Sequence, residues 1–527
     1  MSKRVFFDRI FHRSYWTWRR HPAVIVPTML SSGLSAVERA ALTLSVVIYL
    51  TLLASKGNLA RFLRVFYAPG TGYLGGVRGL LNDASFSPGL ILVIGSVLFA
   101  VILVEVVGGG FVLSSEYGTY IEAWSKNSVP ISTVLERGRK DWKRVAWTIL
   151  LTDIVTWGPA ALGIGLFLVE TAGLGTALNG LPGAFLVLLY GLLAGILVIV
   201  SLIISIFTIF SIPASIIDQT SGLKAIGNSF NFVAHNFRAT LTYISVRIFF
   251  LILYLILVFV QLSTGQLLSA FGSALLTLFA TPILHSTKAL VYWYGRSEEA
   301  EMRFEVFEPI WADIALRLPK RAWKKMRLGL EEISRFLLST RNLPFHVLAT
   351  LSLVLGIWLG DYVSSHGLLN FLPIQPGVIN PAIDQNFGPI LGSDIFLNNW
   401  LVSIATGMSG IAFGIPSFQT ILFNGFTVGI ILPAYAGLDL TLLLAGLVPH
   451  GVIEIPSLVL SGSIGLKLGW AAINARVRPS PENQELLSQT LRQTVYIVVG
   501  LAPLFLVAGL IEGNLTPIIM RWFGWTG

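Results

Sequence analysis

The stretch GLVPHGVIEIPSLVLSG, residues 446–462, places a histidine and a glutamate inside a run that is otherwise apolar apart from two serines. His450 and Glu454 are four residues apart, so they share one face of a helix. An ionised carboxylate at the centre of a bilayer costs about 2.5–3.5 kcal/mol. We therefore expect Glu454 to be protonated, paired with His450, or hydrogen-bonded to asparagines of neighbouring helices. In each case the stretch marks a polar contact where membrane helices meet.

The composition of the whole chain excludes a soluble protein. Of its 527 residues, 54% are hydrophobic and 12% are charged, whereas soluble proteins carry about 25% charged residues. Apolar runs of about 20 residues recur along the sequence, which predicts an all-α integral membrane protein. The chain contains no cysteine, which excludes disulfides, thiolate metal sites and thiol nucleophiles.

We predict about eleven transmembrane helices in two bundles, six before and five after a charged segment. The predicted domains are a six-span N-terminal domain at 1–294, a charged cytoplasmic linker at 295–341 and a C-terminal membrane domain at 342–527. Within the linker, the sequence RLPKRAWKKMRLGLEEISRFLL (317–338) alternates basic and apolar positions at helical spacing. This pattern predicts an amphipathic helix on the inner leaflet of the membrane.

The distribution of basic residues predicts the orientation of the chain. With a cytoplasmic N-terminus, 28 of the 36 Lys and Arg residues fall in cytoplasmic segments and only five fall outside. This asymmetry follows the positive-inside rule and places the C-terminus outside a multi-pass protein of the cell membrane. The basic charge therefore favours the lipid bilayer as partner over nucleic acid, because no loop contains a compact nucleic-acid-binding module.

Ionisable residues also occur within the predicted spans of the N-terminal half. They are Glu105, Asp153, Arg247, His285 and Lys288. His285 and Lys288 are three residues apart and share a helix face, where we expect them to pair with Glu105 or Asp153. Such pairs either hold helices together or line a transport path; the first interpretation is simpler, because the residues are few and scattered.

The C-terminal half offers three asparagines as partners for Glu454. Asn398 and Asn399 begin one predicted span, and Asn424 lies in the next, after a break at 414–416. We predict an intramembrane polar cluster with a binding role, formed by Asn398, Asn399, Asn424, His450, Glu454 and Ser457. We predict no metal site and no cofactor, because the seven histidines are dispersed and the pair His450–Glu454 supplies only two ligands.

Several motifs occur in a fixed order in this half. They are Asn398, the turn GIAFG (410–414), the pair Asn424–Gly425, the sequence HGVIEIP (450–456) and the sequence GLKLG (465–469). The stretch from about 393 to 475 resembles the stage II sporulation protein M family, and we expect the likeness to extend over about 340–527. The resemblance implies a membrane scaffold that localises cell-wall hydrolases during engulfment in spore-forming bacteria. The N-terminal half resembles only loosely a multi-span membrane domain of unknown function, so we carry over the fold and a non-enzymatic membrane role.

Two other functions stay open at this point. A transporter or channel subunit for a small solute or ion would use the asparagines and Glu454 to line a path. A rhomboid-like intramembrane serine protease would use Ser409, since the sequence GMSG (407–410) matches the motif G-x-S-G, with His450 as general base. The favoured interpretation is a non-enzymatic scaffold or component of a membrane complex, in contact with other membrane or envelope proteins.

Overall fold

The computed structural model describes residues 10–55, 87–126, 128–174, 181–264, 276–296, 309–365, 389–436 and 440–523. Within these ranges the chain is helical and contains no strand, which confirms the predicted all-α class. Long helices satisfy every internal backbone hydrogen bond without water, as an apolar environment requires.

The first ten helices are α1 (His12–Arg20), α2 (Val26–Ser55), α3 (Ser87–Leu103), α4 (Gly109–Ser125), α5 (Ser132–Leu174), α6 (Leu181–Phe207), α7 (Ser211–Ile217), α8 (Leu223–His235), α9 (Phe237–Thr264) and α10 (Thr281–Arg296). The remaining α-helices of seven or more residues are α11 (Leu318–Leu338), α12 (Leu343–Ser365), α13 (Pro389–Ser409), α14 (Ile415–Ala436), α15 (Leu440–Val477), α16 (Pro481–Gly500), α17 (Ala502–Leu510) and α18 (Thr516–Trp522). Short π-helical turns join some neighbours, including Ile511–Leu515 between α17 and α18.

Seven helical segments in the described ranges are long and apolar enough to cross a membrane. They are Gly95–Ser125, Ser132–Leu168, Phe185–Ile217, Phe237–Val260, Thr340–Ser365, Thr441–Val477 and Pro481–Trp522. Large apolar side chains remain exposed on them; Leu188 is 62% exposed and Phe259 is 69% exposed. Such outward apolar surface suits lipid and not water. The chain is thus a membrane protein, and the count of eleven spans stays a prediction.

The chain divides into two compact units, each assembled from segments that are separate in sequence. The first unit comprises Met1–Thr28, Val106–Leu251 and Ala280–Glu308, and the second comprises Met29–Glu105, Ile252–Phe279 and Pro309–Gly527. The predicted domain limits and the two-bundle arrangement stay predictions. The residues with the densest polar motifs, 398–461, all belong to the second unit.

The second unit encloses an apolar core to which four helices contribute. Its buried members are Ile333, Phe336, Leu460, Ile464, Ile497, Leu501 and Phe505. The amphipathic segment predicted at 317–338 forms helix α11, and its buried side chains pack into this core. The opposite side of α11 carries large exposed side chains: Trp323 is 63% exposed and Leu338 is 84% exposed. The interfacial position on the inner leaflet stays a prediction, while the core contact ties α11 firmly to the unit.

Helices α12 and α14 run parallel and touch backbone to backbone. A Cβ atom built on Gly356 would lie 2.1 Å from the carbonyl oxygen of Leu422, and one on Gly425 would lie 2.2 Å from that of Leu353. The Ser352 hydroxyl donates a hydrogen bond of 2.8 Å to the Phe418 carbonyl across the same contact. Small residues at four-residue spacing permit this approach, as in other membrane helix pairs.

The break predicted at 414–416 is a tight turn between α13 and α14. Phe413 and Gly414 both adopt positive φ, 61° and 79°, and α14 begins at Ile415. A Cβ atom on Gly410, at the start of the turn, would lie 2.1 Å from the carbonyl oxygen of Gly465 on α15. The glycines of the GIAFG turn therefore bring α13 against the GLKLG segment of α15.

Candidate functional site

The polar cluster of the second unit consists of Asn399 on α13, His450 and Glu454 on α15, Glu512 in the π-helical turn, and Thr516 on α18. Helices α13 and α15 and the continuous helical segment Pro481–Trp522, which includes the π-helical turn and α18, thus deliver polar side chains to one place. The two residues of α15 lie one helical turn apart, as their spacing predicts.

Glu454 is held through one of its two carboxylate oxygens. The Asn399 side chain donates a hydrogen bond of 2.8 Å from Nδ2 to Glu454 Oε1. The other oxygen, Oε2, is buried, and within the described ranges it has no hydrogen-bond partner. An unpartnered buried oxygen is costly, because burial removes its hydrogen bonds to water and no protein donor replaces them.

His450 faces two groups of the chain's last helical segments. Its Nδ1 atom lies 3.4 Å from Thr516 Oγ1, and its Nε2 atom lies 3.9 Å from Glu512 Oε2. The His450 side chain is 12% exposed and that of Glu512 is 31% exposed. One side-chain ligand atom from each of His450, Glu454 and Glu512 lies within 4.8 Å of the other two.

Glu512 and Thr516 are not among the residues that sequence reasoning selected. Glu512 lies in the last predicted span, 494–513, where it is the only charged residue. A lone glutamate in an apolar span is the signal that would have found it. The π-helical turn Ile511–Leu515 also has precedent as a feature of functional sites.

The three predicted asparagines differ in their roles. Asn399 donates to Glu454, whereas Asn398 is exposed and donates to Asn399 Oδ1 over 3.1 Å. Asn424 donates to the Thr420 carbonyl of its own helix over 2.8 Å. The expectation that all three bind Glu454 is corrected, because an asparagine inside a helix can satisfy its side chain on the carbonyl one turn earlier.

Ser457, the last predicted member, also bonds within its own helix. Its hydroxyl donates to the Ile453 carbonyl over 2.7 Å. A buried serine often returns its hydroxyl to the preceding turn in this way. Ser457 therefore lines the same helix face as Glu454 without sharing a hydrogen bond with it.

The pair Ser409 and His450 does not form a protease dyad in this structure. The Ser409 hydroxyl donates to the Thr406 carbonyl over 2.9 Å and lies 3.2 Å from Ser417 Oγ. The His450 ring instead faces Thr516 and Glu512. A general base must lie within hydrogen-bond reach of the proton that it removes, so the geometry assigns Ser409 a packing role at the turn.

We expect the substitution Ser409→Ala to lower the free energy of unfolding by about 1 kcal/mol, the usual worth of one hydrogen bond. Cleavage of a model transmembrane substrate should be absent from both the wild type and the variant. Both quantities can be measured on the purified protein in detergent and in vesicles. Cleavage by the wild type that the substitution abolishes would contradict the packing role.

In the first unit, His285 pairs with Glu116, a glutamate that was not among the residues predicted from the sequence. His285 Nδ1 lies 2.9 Å from Glu116 Oε2, and the Tyr120 hydroxyl donates to Glu116 Oε1 over 2.6 Å. Lys288 Nζ lies 6.0 Å from the centre of the Tyr117 ring, within the range of a cation–π contact. The glutamate partner is therefore Glu116, because α4 packs against α10 and brings its buried face to His285.

Three further ionisable residues were predicted in this half: Glu105, Asp153 and Arg247. Arg247 on α9 interacts electrostatically with Lys288. Glu105 belongs to the second unit and interacts electrostatically with Glu38, whereas Asp153 lies on α5 in the first unit. The expected pairing of His285 with Glu105 or Asp153 is replaced by the contact with Glu116.

Comparison with known proteins finds a family match in the C-terminal region. Residues 346–517 match the family model described as Stage II sporulation protein M, which confirms the resemblance of the ordered motifs. Two uncharacterized proteins of Methanocaldococcus jannaschii are also similar. One is 28% identical over 146 residues, covering 27% of this chain and 77% of its own length; the other is 26% identical over 155 residues, covering 29% and 70%. No solved structure matches this chain. The whole polar cluster lies within the matched region.

Proposed function

Because residues 346–517 match the Stage II sporulation protein M model, we propose that this chain is a non-enzymatic scaffold in a complex that remodels the membrane or envelope. Its partners are the lipid bilayer and other membrane or envelope proteins, and not nucleic acid. The observation that supports the proposal best is the close packing of helices in the second unit.

That packing is made through backbones and leaves little room between helices. Gly356 and Gly360 of α12 meet carbonyl groups of α14, and Gly410 in the turn after α13 meets Gly465 of α15. A solute path needs a gap lined by polar groups, whereas backbone contact at glycines closes such gaps and makes a stiff unit. A stiff helical body with an apolar outer surface suits a platform on which other proteins assemble.

The scaffold role predicts a defined complex in the membrane of the source organism. We expect the chain, extracted from these membranes in mild detergent, to migrate at a mass well above that of the same chain expressed alone in a foreign host. Native gel electrophoresis followed by mass spectrometry measures this difference and identifies the partners. Equal masses in the two membranes would contradict the proposal.

A flux experiment separates the scaffold from a transporter. The purified chain in proteoliposomes should pass no small solute or ion beyond the leak of empty vesicles. Flux that the substitution Glu454→Gln abolishes, while Glu331→Gln on the exposed side of α11 preserves it, would overturn the scaffold in favour of transport.

We further propose eleven spans with a cytoplasmic N-terminus and an outside C-terminus. The excess of basic residues in the predicted cytoplasmic segments supports this orientation. The parallel course of α12 and α14 supports the predicted span between them, because two helices that are separated by one span cross the membrane in the same direction.

The orientation can be tested directly, because the chain has no cysteine of its own. A cysteine introduced by Trp522→Cys, at an exposed position of α18, should react with a membrane-impermeant maleimide in intact cells. A cysteine introduced by Lys324→Cys, exposed on α11, should react only after permeabilisation. The reverse pattern would invert the proposed orientation.

A further inference from the structure

We propose that His450, Glu454 and Glu512 bind a divalent transition-metal ion, with Zn²⁺ as the probe. Their ligand atoms lie within 4.8 Å of one another, and His450 Nε2 lies 3.9 Å from Glu512 Oε2. Zinc bonds to imidazole nitrogen and carboxylate oxygen measure about 2.0–2.2 Å, so ligand atoms on one tetrahedral ion lie about 3.3–3.6 Å apart. Side-chain shifts of about 1 Å therefore bring the three ligand atoms onto a common ion.

Contacts outside the three ligands already orient them. The Thr516 hydroxyl next to His450 Nδ1 turns the opposite ring nitrogen, Nε2, towards Glu512. Asn399 holds Glu454 by Oε1 and leaves Oε2 buried and without a partner. Metal ligands in proteins are usually fixed in this way, a histidine through its second nitrogen and a carboxylate through a hydrogen bond.

The charge of the cluster also favours a cation. In the described part of the chain, no Lys or Arg forms a salt bridge with Glu454 or Glu512. Two carboxylates in one apolar site repel each other when both are ionised, and removing each from water is costly. A divalent cation bound between the two carboxylates would offset both their repulsion and the cost of removing them from water. It would also link α15 to the π-helical turn Ile511–Leu515.

The ligand set indicates the class of ion. One imidazole and two carboxylates suit zinc and its first-row neighbours. Calcium takes six to eight oxygen ligands, and magnesium keeps a shell of water in a near-octahedral site. Three protein ligands leave a fourth position of a tetrahedral ion for water.

The experiment uses the full-length chain, purified in detergent and stripped of metal with a chelator. Titration calorimetry with Zn²⁺, checked by elemental analysis after desalting, should show one ion per chain. The substitutions Glu454→Gln and Glu512→Gln should each weaken Zn²⁺ binding by about 100-fold or more, and Asn399→Ala, which only orients a ligand, by about 10–100-fold. Glutamine retains the size and hydrogen bonding of glutamate, so these variants are expected to fold.

Matched controls are Glu331→Gln and His235→Gln, two exposed residues outside the cluster, and both should bind Zn²⁺ as the wild type does. Co²⁺ should give the visible absorption of a tetrahedral site in the wild type and lose it in Glu512→Gln. Absence of Zn²⁺ binding by the wild type, or binding by both Glu454→Gln and Glu512→Gln with the affinity of the wild type, would overturn the proposal. Ca²⁺ or Mg²⁺ binding in preference to Zn²⁺ would overturn the class of ion. The inference does not rest on the scaffold role, because binding is measured without any partner.

Discussion

Replacing Gly356 and Gly360 together by alanine is expected to lower the free energy of unfolding of the second unit by about 2 kcal/mol or more. A methyl group at either position would lie 2.1 Å from a carbonyl oxygen of α14, that of Leu422 or Phe426. Backbone atoms cannot rotate away as a flexible side chain can. The two helices must therefore separate, which also breaks the hydrogen bond from Ser352 to the Phe418 carbonyl.

A control separates this clash from helix propensity. Alanine is favoured over glycine inside a helix by about 1 kcal/mol. Replacing a helical glycine by alanine should therefore stabilise the protein where the new methyl group meets no clash. Gly446 on α15 provides the match, because a Cβ atom there meets only the flexible Met520 side chain at 3.5 Å. We expect Gly446→Ala to be neutral or stabilising and the double variant to melt at a lower temperature in detergent. Equal melting temperatures for the two proteins would refute the backbone contact.

Replacing Asn399 by leucine is expected to lower the free energy of unfolding by about 1–3 kcal/mol, and by more if Glu454 is ionised. Among the described residues, Asn399 is the one side chain that donates to Glu454, and the other carboxylate oxygen is buried there without a partner. Leucine fills a similar volume, so the expected loss reflects the hydrogen bond and not a cavity. Unfolding should be measured with a chelator present, so that no metal ion contributes.

A double-mutant cycle identifies the contact. The double variant Asn399→Leu with Glu454→Met should be closer to the wild type than the two single losses added together, because both polar partners are then gone. Asn398→Leu is the control, since this neighbour is exposed and does not reach Glu454. Strict additivity of the two single losses, or an equal loss in Asn398→Leu, would show that Asn399 does not hold Glu454.

The sequence predicted those features that depend on neighbouring residues in the chain. The all-α class follows from long apolar runs, the turn at 414–416 from its Gly and Pro residues, and helix α11 from its alternation of basic and apolar positions. The shared face of His450 and Glu454 follows from helical spacing, and the motifs from Asn398 to Gly469 indicated the family that the comparisons confirmed. Each inference needs only local periodicity or a pattern along the chain.

The partners of these residues were not readable from the sequence. Three asparagines were plausible donors to Glu454, and only Asn399 donates to it; His285 was expected to pair with Glu105 or Asp153, and it pairs with Glu116. In both cases several polar residues lie in suitable spans, and the rotation and height of each helix decide which of them meet. The rotation and height of a helix depend on close packing at glycines. The sequence shows where the small residues are, but not which residues they contact.

The sequence by itself therefore determined that this chain is helical and membrane-embedded, and that His450 and Glu454 project from one face of a helix. Only the tertiary structure decided that Glu512 and Thr516 complete their surroundings. The physical reason is that positions one turn apart are fixed by the helix itself, whereas residues on different helices meet only where backbone packing sets the register between them.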